Sequence, residues 1–141
     1  MRFVSYGAGA VGGVVGGRLA EHGHDVVVIA RGPHLDAIRR DGLRVECPDG
    51  VVTVPVPAVG SPAEVEWRDD DVVLLGVKSQ DTVAALESLR AVAPEATVVC
   101  LQNGVENERQ ALRRFERVYA ICVMLPTGHL VWASDNTVFG A

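Results

Sequence analysis

The most constraining feature of the chain is a glycine-spaced segment near its start, Gly7-Ala-Gly-Ala-Val-Gly12. Alone, a GxGxxG sequence is weak evidence, because glycine-rich turns are common. Its flanks make it specific. Val4 to Tyr6 form a short apolar strand, and Ala10 to Glu21 take up helical spacing with Val11, Val14, Val15 and Leu19 on one face. Gly23 stops that helix, and Asp25 to Ala30 follow as a continuous apolar run suited to a strand covered on both faces. Strand, tight turn, helix and second strand in this order are what a dinucleotide-binding fold requires. In that setting Gly7 permits the turn, Gly9 lets the backbone approach a pyrophosphate, and Gly12 lets helix and strand pack closely. Ala8, Ala10 and Val11 complete the cofactor-binding turn, and the amide hydrogens at the helix start, with its positive dipole end, face the phosphates. Gly13, Gly16 and Gly17 read instead as packing glycines, each costing about 1 kcal/mol relative to Ala in a helix.

The rest of the chain repeats the alternation. Pro33 suits a first helical position, Leu35 and Ile38 give that short helix an apolar side, and Gly42 ends it. From Leu43 to Val59 two β-prone pieces, LRVEC and VVTVPV, flank Pro48-Asp49-Gly50, which predicts a hairpin with a proline-forced loop beyond. Asp71 to Val77, Thr97 to Leu101 and Val118 to Met124 read as further strands, with helices over Asp81 to Val92 and Val105 to Phe115 between them. After Pro126, the segments LVWA and TVFGA predict a closing hairpin. Strands alternating with helices imply an α/β fold: a doubly wound parallel sheet with right-handed crossovers and a closing β-hairpin, in one domain over 1–141.

Composition narrows the ligand. Hydrophobic residues make up 48% of the chain but aromatics only 5%, so the core is built from Val, Leu, Ile and Ala, as buried parallel strands require. The net charge of -5, with both signs interspersed, provides no basic stripe for nucleic acid and no basic helix for a membrane surface, which leaves a small molecule as the expected partner. Cys47, Cys100 and Cys122 have no metal-ligand spacing and read as reduced core residues of a cytoplasmic protein. His22, His24 and His34 lack partners for a triad or a metal site and read as surface residues, and Asp69-Asp70-Asp71 reads as a solvated turn.

The end of the second strand bears on which dinucleotide. An acidic residue there, ~20 positions after the fingerprint, would accept the ribose 2′-hydroxyl of NAD. This chain has Ala30-Arg31 instead. A guanidinium would pair with a 2′-phosphate, and no carboxylate is there to repel it, so NADP(H) is the expected cofactor. The bland alternative is a solvated arginine at a strand end.

Three further strings, ARGPHLDAIRRDGLRV, VKSQDT and LQNGVENE, together with the fingerprint, resemble the ketopantoate reductase (2-dehydropantoate 2-reductase) family through most of the chain up to Met124. The resemblance implies that Lys78 reaches the cofactor and that Asn103 lies beside the nicotinamide and the reacting keto acid. Both follow strands at the edge where ligands bind in open α/β sheets. A snorkelling surface amine and an ordinary Asn-Gly turn are the structural alternatives. The implied reaction is hydride transfer from NADPH to ketopantoate, giving pantoate for pantothenate and coenzyme A synthesis. The proton donor in the family is a lysine of a C-terminal helical domain absent from this chain. The expectation is therefore cofactor binding with little or no turnover unless a longer product or a partner supplies the rest, with self-association as a further outcome of the uncovered face. Two other readings stand beside this one: a related NADP-dependent hydroxyacid dehydrogenase, and a stand-alone nucleotide-sensing module of the potassium-transport-regulator type.

Overall fold

A computed structural model describes residues 1–129 and 136–140. Ten strands and four helices follow in order: β1 Arg2–Tyr6, α1 Ala10–Glu21, β2 Asp25–Ile29, α2 Gly32–Asp41, β3 Leu43–Cys47, β4 Gly50–Val54, β5 Ala58–Val59, β6 Asp71–Leu75, α3 Thr82–Arg90, β7 Thr97–Cys100, α4 Asn107–Leu112, β8 Val118–Ala120, β9 Thr127–His129 and β10 Thr137–Gly140. Six strands form one parallel sheet in the order β5-β2-β1-β6-β7-β8. The first three run one way along the sheet and the next three the other, so the order reverses between β1 and β6. This is the expected doubly wound architecture.

The sheet is covered on both faces, and each face has its own core. On one, Val4, Ile29, Val73, Leu75 and Val98 meet Leu86 and Leu89 of α3 and Ala111 of α4, all essentially inaccessible to water. On the other, α1 lies between two sheets. The second sheet has the order β4-β3-β10-β9 and was not foreseen, for β10 returns parallel beside β3 as well as antiparallel to β9. The hairpin predicted over Leu43 to Val59 survives as β3 with β4, and β10 does pair antiparallel with a preceding strand, but that strand is Thr127–His129. LVWA, assigned to the closing hairpin, lies outside the described residues, as does Ala141. β5 is also additional. Where a proline-forced loop was expected, Ala58 and Val59 pair with Val28 and Ile29 and extend the main sheet.

A helix clasped between two sheets explains the glycines of α1. A Cβ at Gly16 would lie 3.2 Å from Ser5 Cβ on the main sheet. On the opposite side, one at Gly13 would come within 2.7 Å of Val138 Cγ1, and one at Gly17 would fall closer still to Val45 Cγ2. Gly17→Ala therefore sets two effects against each other. Alanine gains about 1 kcal/mol of helix propensity, but overpacking a dense core costs about 1–3 kcal/mol. Steric cost is expected to win, and thermal denaturation should show a lower melting temperature for G17A.

Two local departures have physical causes. β8 stops at Ala120 rather than Met124, because the side-chain amide of Asn103 takes over the pairing at Val123 (below). Asp71 is not in a solvated turn: it is buried at the start of β6 and ion-paired to Arg2 directly across from it in β1. Of the three cysteines only Cys100 is a core residue, its thiol pushed up to about 11 chiefly by burial, with Glu108 adding to it; Cys47 is half-buried and Cys122 exposed. Among the described residues no helix is long and apolar enough to cross a membrane.

Candidate functional site

The reversal of strand order opens a crevice at the carboxyl ends of β1 and β6, where open α/β sheets receive ligands. Backbone packs on backbone at its floor. Gly7 turns the chain with φ +96°, a conformation that disfavours side chains. A Cβ at Gly12 would collide with the Gly7 carbonyl oxygen, and one at Gly76, after β6, would lie 3.0 Å from Gly12 Cα. Gly9 differs in kind: a Cβ there would meet nothing within 4 Å, so its missing side chain leaves open space rather than room for a neighbour. Gly9 is also the N-cap of α1, and it offers no capping side chain, nor is there an acidic residue in the first turn. The first-turn amides have no intrahelical acceptor, so the positive end of α1 faces the crevice unneutralised. Ser5 fixes this turn from below, its buried hydroxyl donating to Gly12 O at 2.8 Å.

Two lobes, of about 360 and 250 Å³, share Gly9, Gly76, Val77 and Lys78. Arg31 lines the first lobe together with Gly7 and Ala8. It is the N-cap of α2, in extended conformation, and its side chain is exposed. Tyr6 lies buried beside it; burial raises the phenol above its ordinary range, opposed by the charge and hydrogen bonding of Arg31 and by a hydrogen bond with Ser88. Tyr6 thus stays a neutral hydroxyl against the guanidinium. Lys78 is exposed between the lobes, at the entry to the 3-10 turn Ser79–Asp81. The second lobe is lined by Ala10, Val11 and Asn103. Gly12 is buried beneath and lines neither. Three further hollows of comparable or larger size, about 370, 390 and 530 Å³, lie elsewhere and contain neither the glycine turn nor the carboxyl end of β1 or β6.

Asn103 is more than a turn residue, although Gly104 beside it does take φ +116°. Its Nδ2 donates to Val123 O at 3.0 Å and its Oδ1 accepts from Val123 N at 3.1 Å. An amide side chain thereby stands in for a peptide of the neighbouring strand. This pins the segment after β8 to the end of β7, with one Nδ2 hydrogen left over.

Four features of the crevice escaped the sequence reading. His34 is not a plain surface residue: it is half-buried, and its Nε2 donates to Ala8 O at 2.5 Å, tying α2 to the glycine turn. Pro33-His34 at a helix start was the only local signal. Gly76 read as strand interior and Tyr6 as mere strand, while Gln102, Thr82 and Asn107 lie within the strings LQNGVENE and VKSQDT but had no role assigned to them.

Comparison with known proteins agrees with this geometry. The family model described as ketopantoate reductase PanE/ApbA matches residues 3–131. A 2-dehydropantoate 2-reductase of Pyrococcus abyssi is 37% identical over 108 residues, which are 77% of this chain and 35% of that protein. Among solved structures, a PanE/ApbA family ketopantoate reductase from Ralstonia eutropha superposes with a TM-score of 0.89 at 39% identity, covering 99% of this chain and 46% of the other. A D-mandelate dehydrogenase solved with NADH and anilino(oxo)acetate gives 0.84 at 25% identity, over 100% of this chain and 45% of that one. The chain thus spans a little over a third of the curated relative and under half of each solved structure. With its sheet order, its glycine turn and a family match running almost from end to end, the chain belongs to the ketopantoate reductase family.

Proposed function

We propose that this chain is the NADP(H)-binding half of an enzyme that reduces 2-dehydropantoate to pantoate. The observation that carries the reading is that an arginine, not a carboxylate, stands two residues after β2 in the same lobe as the uncapped N-terminus of α1. The open space at Gly9 fits a pyrophosphate drawn against the first-turn amides, and Arg31, in the same lobe, fits a 2′-phosphate. When bound, the nicotinamide supplies the hydride. The chain's own residues then bind and orient: Gly7, Ala8, Gly9, Ala10 and Val11 form the diphosphate cradle with Gly12 packed beneath it, Lys78 places a cation between the lobes, and Asn103, with a spare amide hydrogen, lines the second lobe, where the keto acid would lie. Proton donation falls to a lysine of the helical domain that the family resemblance implies, so residues 1–141 alone are expected to bind cofactor with little turnover. A related hydroxyacid dehydrogenase is the second reading, favoured by the likeness to D-mandelate dehydrogenase.

Calorimetric titration tests the cofactor. Wild type is expected to bind NADPH more tightly than NADH. Arg31→Ala should remove most of that preference, about 10-fold or more, because one charge-assisted hydrogen bond contributes roughly 1.5–3 kcal/mol. Equal affinity of the wild-type chain for the two would overturn the assignment.

A further inference from the structure

Beneath the second lobe, three polar side chains from three elements are joined where apolar residues would fill the space as well. Gln102, after β7, is 7% exposed; Thr82, at the start of α3, is 1% exposed; Asn107, at the start of α4, is 4% exposed. Their hydrogen bonds allow one direction only. Val77 O is purely an acceptor, so the Gln102 group 2.6 Å from it is the amide Nε2. The same Nε2 donates to Thr82 Oγ1 at 2.8 Å, which commits the threonine hydrogen to Asn107 Oδ1 at 2.9 Å. Asn107 Nδ2 then faces Ser79 Oγ and Asn103 O, each at 3.3 Å. The chain of bonds begins on the backbone of the VKSQDT loop and ends on the backbone of the LQNGVENE loop. These are the loops that present Lys78 and Asn103. Gln102 itself lines the second lobe, and its Oε1 is a buried acceptor with no partner.

We propose that Gln102, Thr82 and Asn107 are positioning residues that lock the Lys78 and Asn103 loops in one relative placement for the nicotinamide half of the dinucleotide. The inference rests on the cofactor reading above. Breaking a buried hydrogen bond strands a polar group away from water, and a one-way relay anchored on a carbonyl at each end is rigid for that reason. The adenosine half lies in the other lobe, with Arg31 and the glycine turn, beyond the relay's reach.

That division gives the test. NADPH spans both lobes, whereas adenosine 2′,5′-bisphosphate fills only the first. In the 141-residue chain, Thr82→Val keeps the side-chain shape but removes the hydroxyl. It is expected to weaken NADPH about 10-fold while adenosine 2′,5′-bisphosphate binds within twofold of wild type, and Thr82→Ser should restore NADPH affinity. Unchanged NADPH binding with a lowered melting temperature, or equal losses for both ligands, would show a merely structural network and overturn the proposal. For a Thr82→Val protein that does not fold, the wild type serves: by nuclear magnetic resonance, the Gln102 side-chain amide should exchange slowly and shift on adding NADPH but not adenosine 2′,5′-bisphosphate. A shift with both, or with neither, counts against the relay. If wild type binds neither ligand, the cofactor reading fails first; if it binds both and only the Thr82→Val split is missing, the relay alone fails.

Discussion

Gly9→Ala is expected to leave the melting temperature within a few degrees of wild type while lowering NADPH affinity about 100-fold; Gly12→Ala should instead lower the melting temperature by displacing the glycine turn itself, with NADPH affinity lost along with the turn. The two glycines are three residues apart in one motif, and the difference between them is what each absent Cβ would meet. At Gly12 the methyl group would run into Gly7 O, a clash that only a displaced turn can relieve. At Gly9 it would stand in open space, with backbone angles of φ -76° and ψ -155° that an alanine tolerates. Folding therefore accommodates the Gly9→Ala methyl group, but a pyrophosphate held against the α1 amides does not. Hydrogen bonds to charged groups contribute about 1.5–3 kcal/mol each, so keeping one or two of them from forming gives a loss of that order. Melting curves and NADPH titration on the two variants check both halves. An NADPH affinity for Gly9→Ala equal to wild type would remove the glycine cradle from the proposal.

What could be read from the sequence is what short-range rules govern. β1, α1 and β2 were legible because their signals are contiguous: an apolar run, a glycine turn, a helical period, a second apolar run. Arg31 and Lys78 were legible as strand-end residues for the same reason. The second sheet was not, since β10 finds β3 across roughly ninety residues and no local pattern announces a parallel partner at that distance. One hint did exist. Gly13 and Gly17 lie on the side of α1 away from the main sheet, and small residues on both sides of a helix mean that something packs closely on both. The relay of Gln102, Thr82 and Asn107 was hidden for a related reason: each residue looks ordinary in its own segment, as a strand end or a helix start, and only tertiary proximity turns them into one network. Asp71 was misjudged because a rule about acidic runs before strands takes no account of a partner 69 positions earlier.

That partner makes the amino edge of the sheet the most sensitive place for stability. Arg2 Nε donates to Asp71 Oδ1 at 2.8 Å and its Nη2 to Asp71 Oδ2 at 2.7 Å and to Glu66 O at 2.7 Å, while Arg68 N donates to Asp71 Oδ2 at 2.8 Å. The two side chains are 6% and 1% exposed, and the aspartate holds the guanidinium above its already high range. Two ions so deeply buried gain little over a well-packed apolar pair, because desolvation offsets their attraction. Removing one is another matter. Asp71→Asn leaves a buried guanidinium without its counter-charge, an expected loss of about 3–5 kcal/mol, or roughly 10–20 °C in melting temperature for a domain of this size. The double replacement Arg2→Met with Asp71→Leu should recover most of that loss. Next door, Asp70 pairs with the amino terminus on the open surface, where water and salt screen the contact, so Asp70→Asn should melt with wild type. Differential scanning calorimetry on the three variants decides the matter: if the double variant melts as low as Asp71→Asn, the cost lies in the shape of the site and not in its unpaired charge.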